Sequence, residues 1–264
     1  MMPSSSLLLF SRAHSAKRGI GFTLVELLVT VSIIAILAGI LFPVISRSIE
    51  ACRGSRCTSN LSQLGKAIDL YCQDHNDRYP YGLDSFDRIY PEAWRFSEAS
   101  SPPYWNPVTQ RSFYREVKAL IAADQRRTDV DVVLFQYAPD RELWHCPSDT
   151  GVVARGVLWN LPYDTKGKTM FEAFQMSYHY RTELALSQIA CSWVKRPAAT
   201  NVLMDGTGYW HSRYRRPPRH DGSDTADERL WGYNVLFADG HVKNLTASDF
   251  YRNAWGTRIG YGDG

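Results

Sequence analysis

At 264 residues, with 44% apolar and 13% aromatic side chains, the chain can hold an ordinary domain plus an anchor and is too apolar for wholesale disorder. Its formal charge of +3 comes from Arg12, Lys17 and Arg18 within residues 1–21, which leaves 27 basic and 27 acidic residues in the rest. A balanced body argues against duplex nucleic acid as a partner. Five cysteines (Cys52, Cys57, Cys72, Cys146 and Cys191) include no CxxC pair, so neither a disulfide-dense scaffold nor a structural zinc site is indicated, and the odd count leaves a thiol free or paired with another chain.

Taken in chain order, the first element is the basic leader 1–21, followed by an apolar run from Phe22 to Ile45 that carries one charge, Glu26. About 20 apolar residues cross a bilayer as a helix. A secretory signal would have a shorter apolar stretch followed by a small-residue cleavage site. Here the small residues Gly19-Ile20-Gly21 come first, so cleavage there leaves the apolar segment on the mature chain. Lys17 and Arg18 favour a cytoplasmic N-terminus. An acid within a spanning segment is costly and is kept for a partner. If the cut falls after Gly21, the new α-amine of Phe22 is a cationic mate for Glu26, on its own chain or a neighbour's. The alternative is a carboxylate that snorkels to the headgroups.

Beyond the membrane, Ile45, Ile49 and Cys52, then Leu61, Leu64, Ile68 and Tyr71, recur at helical steps. They predict one helix from Phe22 to about His75, roughly 80 Å long, whose second half lays an apolar face on a domain. Gly54 and Ser55 are candidate soft points, and Pro43 removes an amide donor and tends to kink the helix. Turn chemistry at Asp74-His75-Asn76-Asp77 ends it. Residues 78–110, rich in Pro, Tyr, Trp and Ser, read as an ordered loop. Ser112–Ala123 puts Phe113, Val117, Leu120 and Ile121 on one face of a short helix. Val132–Tyr137 is a strand or a helical turn. Ser177–Arg181 and Asn201–Asp205 read as strands, with Thr182–Trp193 helical between them. Residues 234–245 form a hairpin around Asp239-Gly240, the dipeptide suited to a two-residue turn. A long helix first and short strands last predict an α+β fold, the helix packed on a small antiparallel sheet. The expected domains are the leader 1–21, a transmembrane helix 22–45 and an extracytoplasmic domain 46–264.

Three clusters carry candidate chemistry. His220-Asp221-Gly222-Ser223-Asp224-Thr225-Ala226-Asp227-Glu228 is acidic enough to consider calcium, though its spacing is not that of an EF-hand and a solvated loop is the blander reading. Residues 209–219, YWHSRYRRPPR, interleave cations and aromatics, as a surface for acidic glycans or single-stranded nucleic acid would, or as an exposed loop paired with the acidic run. His145 beside Cys146 invites a thiol nucleophile, but no orienting third group can be named. With no GxSxG, HExxH or phosphate-binding glycine loop, no enzyme and no obligatory cofactor or metal are expected.

The run Gly21-Phe22-Thr23-Leu24-Val25-Glu26-Leu27-Leu28 resembles the cleavage and methylation site of type IV prepilins and type II secretion pseudopilins. The resemblance implies a membrane peptidase that cuts after Gly21 and methylates Phe22, and a role for Glu26 in subunit assembly. Pro43 matches a proline common at this point of the family's helix. Asn60–Ile68, with Tyr71 and Asp74, is similar to the helix of large pseudopilin-like proteins. Cys146-Pro147-Ser148-Asp149 resembles their mid-domain element, and Phe237–Val242 their C-terminal H…DG domain. His220 lies about twice as far before Asp239 as that domain's histidine does, so it is either followed by an insertion or not equivalent. The family often carries cysteines on the elements of Cys57 and Cys146, which makes these a candidate disulfide worth roughly 3–4 kcal/mol; two small buried thiols are the alternative. The resemblance thus implies a pilin-like subunit in the bacterial inner membrane, its domain periplasmic or in a filament. Its partners would be prepilin peptidase, other pseudopilins and a secretion platform. A tethered binding protein or adhesin, or a minor pilus subunit using the same export route, is the other reading.

Overall fold

The computed structural model describes residues 23–89, 91, 113–123, 129–154, 163–165, 167–211, 231–250 and 252, and the chain divides into two units, Met1–Arg47 and Ser48–Gly264. The helices are α1 (Leu24–Asp74), α2 (Ser85–Ile89), α3 (Phe113–Ala123), α4 (Val130–Val133), α5 (Met170–Phe174), α6 (Thr182–Leu186) and α7 (Ala247–Asp249). The strands are β1 (Val153–Ala154), β2 (Tyr163–Asp164), β3 (Tyr178–Tyr180), β4 (Asn201–Asp205), β5 (Gly232–Phe237) and β6 (Val242–Thr246). A long helix and a small antiparallel sheet make the fold α+β, as its patterning predicts.

In the first unit, every large apolar side chain from Leu24 to Ile45 is 48–79% exposed. Burying each would gain about 1.5–3 kcal/mol, so this segment is stable only where lipid or other helices cover it. Its apolar side chains point all round, as a membrane span's do, and α1 is long and apolar enough to cross a bilayer. The helix continues through Pro43 and through Gly54-Ser55, so neither point interrupts it.

In the second unit, α1 becomes one-sided. Cys57, Leu61, Leu64, Gly65, Ala67, Ile68, Tyr71 and Cys72 are buried, a stripe at steps of three and four. It starts later than the periodicity suggests: Ile49 is 48% exposed and Cys52 is also exposed. The helix ends where Asn76 and Asp77 take φ of 54° and 59°, the left-handed conformation that their short polar side chains tolerate.

The main sheet has the order β3-β4-β5-β6, antiparallel throughout. Period two sends Leu236 of β5 into the same core as the α1 stripe, and sends Tyr233, Val235 and Phe237 into a second core with Met204, Leu245 and Phe250. A Cβ on Gly65 would lie 2.9 Å from Leu236 Cδ1, so any larger residue here would require that side chain to shift. The hairpin differs in detail from the two-residue turn. Phe237 N donates to His241 O, Gly240 N donates to Phe237 O, and Gly240 has φ +84°. Ala238, Asp239 and Gly240 thus form a longer loop, of the kind in which a final glycine takes the left-handed conformation.

Elsewhere, α3 buries Val117 against Leu83 and Leu186, with Leu120 and Ile121 beside them. The Val132–Tyr137 segment is helix and turn, not strand. Thr182–Trp193 splits into α6 and a 3-10 turn at Cys191–Trp193. Of the 78–110 loop, residues 90 and 92–110 lie outside the described residues; Arg78 and Leu83 form isolated bridges to Ala190 and Asp129.

Candidate functional site

Residues 1–22, with the expected leader, Gly21 and Phe22, fall outside the described residues, so the site's described chemistry begins at Thr23. Thr23 N and Thr23 Oγ1 donate to Glu26 Oε2 at 2.9 and 2.7 Å, and Glu26 N donates to Thr23 Oγ1 at 3.2 Å. This is a capping box, in which a hydroxyl residue and the acid three positions on satisfy each other's amides. It is legible as Thr-x-x-Glu at 23–26 but goes unremarked when Glu26 is read only as an assembly residue. Within one chain the acid therefore has a local partner before any neighbour arrives.

A second constellation lies wholly in the Ser48–Gly264 unit and is organised by the Cys-Pro-Ser-Asp element. Cys146 is disulfide-bonded to Cys57, fixing the element to α1. Asn60 Nδ2 reinforces the join by donating to Glu142 O and His145 O, at 3.1 and 3.0 Å. Ser148 Oγ donates to Glu50 Oε1 at 2.7 Å. Asp149 is buried and accepts from Gly151 N, Met170 N, Phe171 N and Ser177 Oγ, so its charge caps α5 and ties that helix to the edge of β3. Every polar member of the motif thus has a structural task.

The residue that sequence reasoning misses is His211. Its Nε2 lies 3.4 Å from Cys146 Sγ and 3.3 Å from Asp205 Oδ2, while its Nδ1 lies 3.4 Å from Glu50 Oε1. Burial works against charge on this ring, but the Asp205 and Glu50 carboxylates outweigh it and raise its pKa. Asp205, at the end of β4, is fully buried; Oδ2 accepts from Asn234 N at 2.7 Å, and Oδ1 has no hydrogen-bond partner among the described residues. Burial first, and then the Asp205 charge, hold the neighbouring Tyr178 phenol well above its ordinary pKa. Residues 50, 57, 146, 205 and 211 share no local pattern, and only the tertiary fold brings them together.

His145, adjacent to Cys146, takes no part in this cluster. It contacts Glu142 Oε2 at 3.4 Å and stacks on Phe171, and the disulfide removes any nucleophilic thiol at Cys146. A second disulfide, Cys72–Cys191, links the C-terminal end of α1 to the 3-10 turn, a pairing that the spacing alone does not single out. Cys52 is the free, exposed thiol. The cation-aromatic stretch opens in the interior: Tyr209 and Trp210 are 3% and 1% exposed, and both donate to Gly151 O. These two residues are therefore core, not a docking surface. Residues 212–219, His220 and the acidic stretch 221–228 lie outside the described residues, and with them the calcium reading.

Residues 17–42 match the family described as the prokaryotic N-terminal methylation motif. No curated protein and no solved structure matches the chain. The match spans the basic pair, the Gly21-Phe22 junction, Glu26 and most of the apolar run, and from Leu24 onward it lies on the helix that is long and apolar enough for a membrane. Its N-terminal segment is thus similar to the methylation motif of prokaryotic pilin-like prepilins.

Proposed function

We propose that the chain is a structural subunit of a prepilin-derived filament, a pseudopilin of a type II secretion-like system, and that it acts mechanically and not as an enzyme. The observation that carries this reading is a methylation motif at residues 17–42 that runs into a helix whose large apolar side chains are all exposed between Leu24 and Ile45. In this reading the chain is anchored in the bacterial inner membrane with its N-terminus cytoplasmic and its domain periplasmic. Prepilin peptidase cuts after Gly21 and methylates Phe22, and stacked helices bury the apolar run. The freed amine of Phe22 meets Glu26 of a neighbouring subunit.

The Thr23 contacts add a step to that mechanism. To meet a neighbour's amine, Glu26 exchanges local hydroxyl and amide donors for a full positive charge. Losing the cap contacts is a modest cost, whereas an acid left without its counterion among packed helices is strongly penalised. Assembly in this reading therefore depends on the amine, and the capping box keeps the acid satisfied until a neighbour arrives.

N-terminal sequencing and mass spectrometry of the chain from a host with active prepilin peptidase test the reading. A methylated Phe22 at the mature terminus is expected; an intact Met1 overturns it. Co-isolation with a secretion platform separates a pseudopilin from a minor pilus subunit or a tethered adhesin.

A further inference from the structure

A disulfide asks nothing of its surroundings, yet the Cys57–Cys146 bond is surrounded by groups that suit a different occupant. Cys57, Cys146, Asp205 and His211 each offer a ligand atom, and these atoms all lie within 4.8 Å of one another. Asp205 Oδ1 is buried with no hydrogen-bond partner among the described residues, a destabilising arrangement that the disulfide does nothing to offset. His211 presents one nitrogen, Nε2, to both Cys146 Sγ and Asp205 Oδ2, at 3.4 and 3.3 Å. A tetrahedral zinc ion with bonds of ~2.3 Å to sulfur and ~2.0–2.2 Å to nitrogen and oxygen spaces its ligands ~3.3–3.8 Å apart; both His211 separations lie in that range, while the two sulfurs, bonded to each other in the disulfide, must part on reduction.

The outer contacts match as well. His211 Nδ1 faces Glu50 Oε1, and Ser148 Oγ donates to that same oxygen. A metal-bound imidazole characteristically gives its second N–H to a carboxylate that is itself held. We propose that Cys57, Cys146, His211 and Asp205 form a zinc-type metal site in the reduced chain, with Glu50 orienting His211, and that disulfide and metal are alternative occupants of one place. Two thiolates and an imidazole select a zinc-like ion over calcium or magnesium. The inference rests on the Ser48–Gly264 unit alone and stands apart from whether the chain assembles.

The exchange balances. A dithiol reductant supplies two electrons and two protons, its own sulfurs pairing as the Cys57–Cys146 bond opens. Each freed thiol then releases its proton to solvent as the metal binds, so one divalent ion enters and two protons leave. Oxidation by a disulfide reverses the sequence and expels the metal.

The test uses the full chain in detergent, reduced with a phosphine, desalted without oxygen and titrated with Co2+ and then Zn2+. One Co2+ per chain is expected, with the visible bands of tetrahedral coordination and a thiolate-to-cobalt charge-transfer band, all bleached by equimolar Zn2+. The oxidised chain should show none of this. The bands should survive Cys52→Ser and Cys72→Ser/Cys191→Ser, and the charge-transfer band should vanish in Cys57→Ser/Cys146→Ser. Glu50→Gln should weaken Co2+ binding by about 10–100-fold. No uptake, a spectrum without charge transfer, or charge transfer persisting in Cys57→Ser/Cys146→Ser overturns the proposal. If the reduced chain loses its near-ultraviolet circular dichroism, Co2+ must restore it, because binding in the native geometry is also folding free energy; failure to restore it overturns the proposal equally.

Discussion

One helix, α1, holds two stretches that solve the problem of apolar surface in opposite ways. From Leu24 to Ile45 apolar side chains face every direction and all of the large ones are exposed. From Cys57 to Cys72 they form one buried stripe, closed at both ends by disulfides to Cys146 and Cys191. In the proposed reading the first stretch draws its stability from lipid and from other helices; the second draws it from its own domain. Acids follow the same division. Among the described residues Glu26 meets only Thr23, three positions away, whereas Glu50 meets Ser148 and His211, both distant in sequence. A helix can thus belong to two environments without a break, because the width of its apolar surface, and not its propensity, assigns each part.

The sharpest way to test the division is to remove the acid of the first stretch. Glu26→Ala should leave the chain inserted and cleaved, and the melting of the Ser48–Gly264 unit unchanged, while filament incorporation falls by at least about 100-fold, the equivalent of losing one member of a buried charge pair. Cross-linking or pull-down against the wild-type subunit measures this. Normal incorporation would mean that the helices stack without the pair.

The converse experiment disrupts the second stretch. Cys57→Ser/Cys146→Ser opens a cross-link between residues 89 apart, which should cost roughly 3–4 kcal/mol. Membrane insertion and leader cleavage should not change. A thermal melt of the oxidised double variant that equals wild type would show that α1 is held by packing alone.

Much of this division was legible in the sequence, because it depends on periodicity. The all-round apolar run, the strand Asn201–Asp205 and the hairpin at 234–245 are local patterns, and local patterns survive without knowledge of neighbours. What escaped depends on distant contacts. Ile49 and Cys52 keep the helical period yet are exposed, since period reveals a face but not how far the domain extends along it. Gly240 closes a longer loop than the dipeptide suggests, because the register of β5 and β6 sets the loop length. Tyr209 and Trp210 look like a docking patch when read beside their cationic neighbours, but their polar atoms find Gly151 O in the interior. The His211 cluster draws on residues 50 to 211 and has no signal at any spacing a motif scan would use.

Gly65 offers a finer probe of the second stretch, one that leaves both cross-links in place. A Cβ there would stand 2.9 Å from Leu236 Cδ1 and 3.4 Å from Cδ2, and Leu236 is 1% exposed, so its methyl groups must shift within a buried core. Gly65→Ala should therefore destabilise the domain by about 1–3 kcal/mol through overpacking, despite alanine's better helix propensity. At an exposed helix position the same change would stabilise by roughly 0.5–1 kcal/mol. An upward shift in melting temperature would place α1 further from β5 than the contact indicates.

The smallest effect expected is one of pH, and it also belongs to the second unit. Asp129 precedes α4, and burial lifts its carboxyl pKa to about 6, against the Arg88 guanidinium at 2.5 Å and with Asp131 and Asp84 adding to the rise. In the unfolded chain an aspartate titrates near ~3.9. Between these values the folded state holds the proton more tightly, so stability from this group is greatest below about pH 4, falls as pH rises through about 6, and is level above. Partial exposure screens the effect, leaving at most about 2 kcal/mol. Other carboxylates titrate in the same range, so the measurement is the difference in melting temperature between wild type and Asp129→Asn. That difference should move against wild type by roughly 4 °C between about pH 4.5 and about pH 7.5. A difference that does not change with pH would show that Arg88 fully compensates the buried charge.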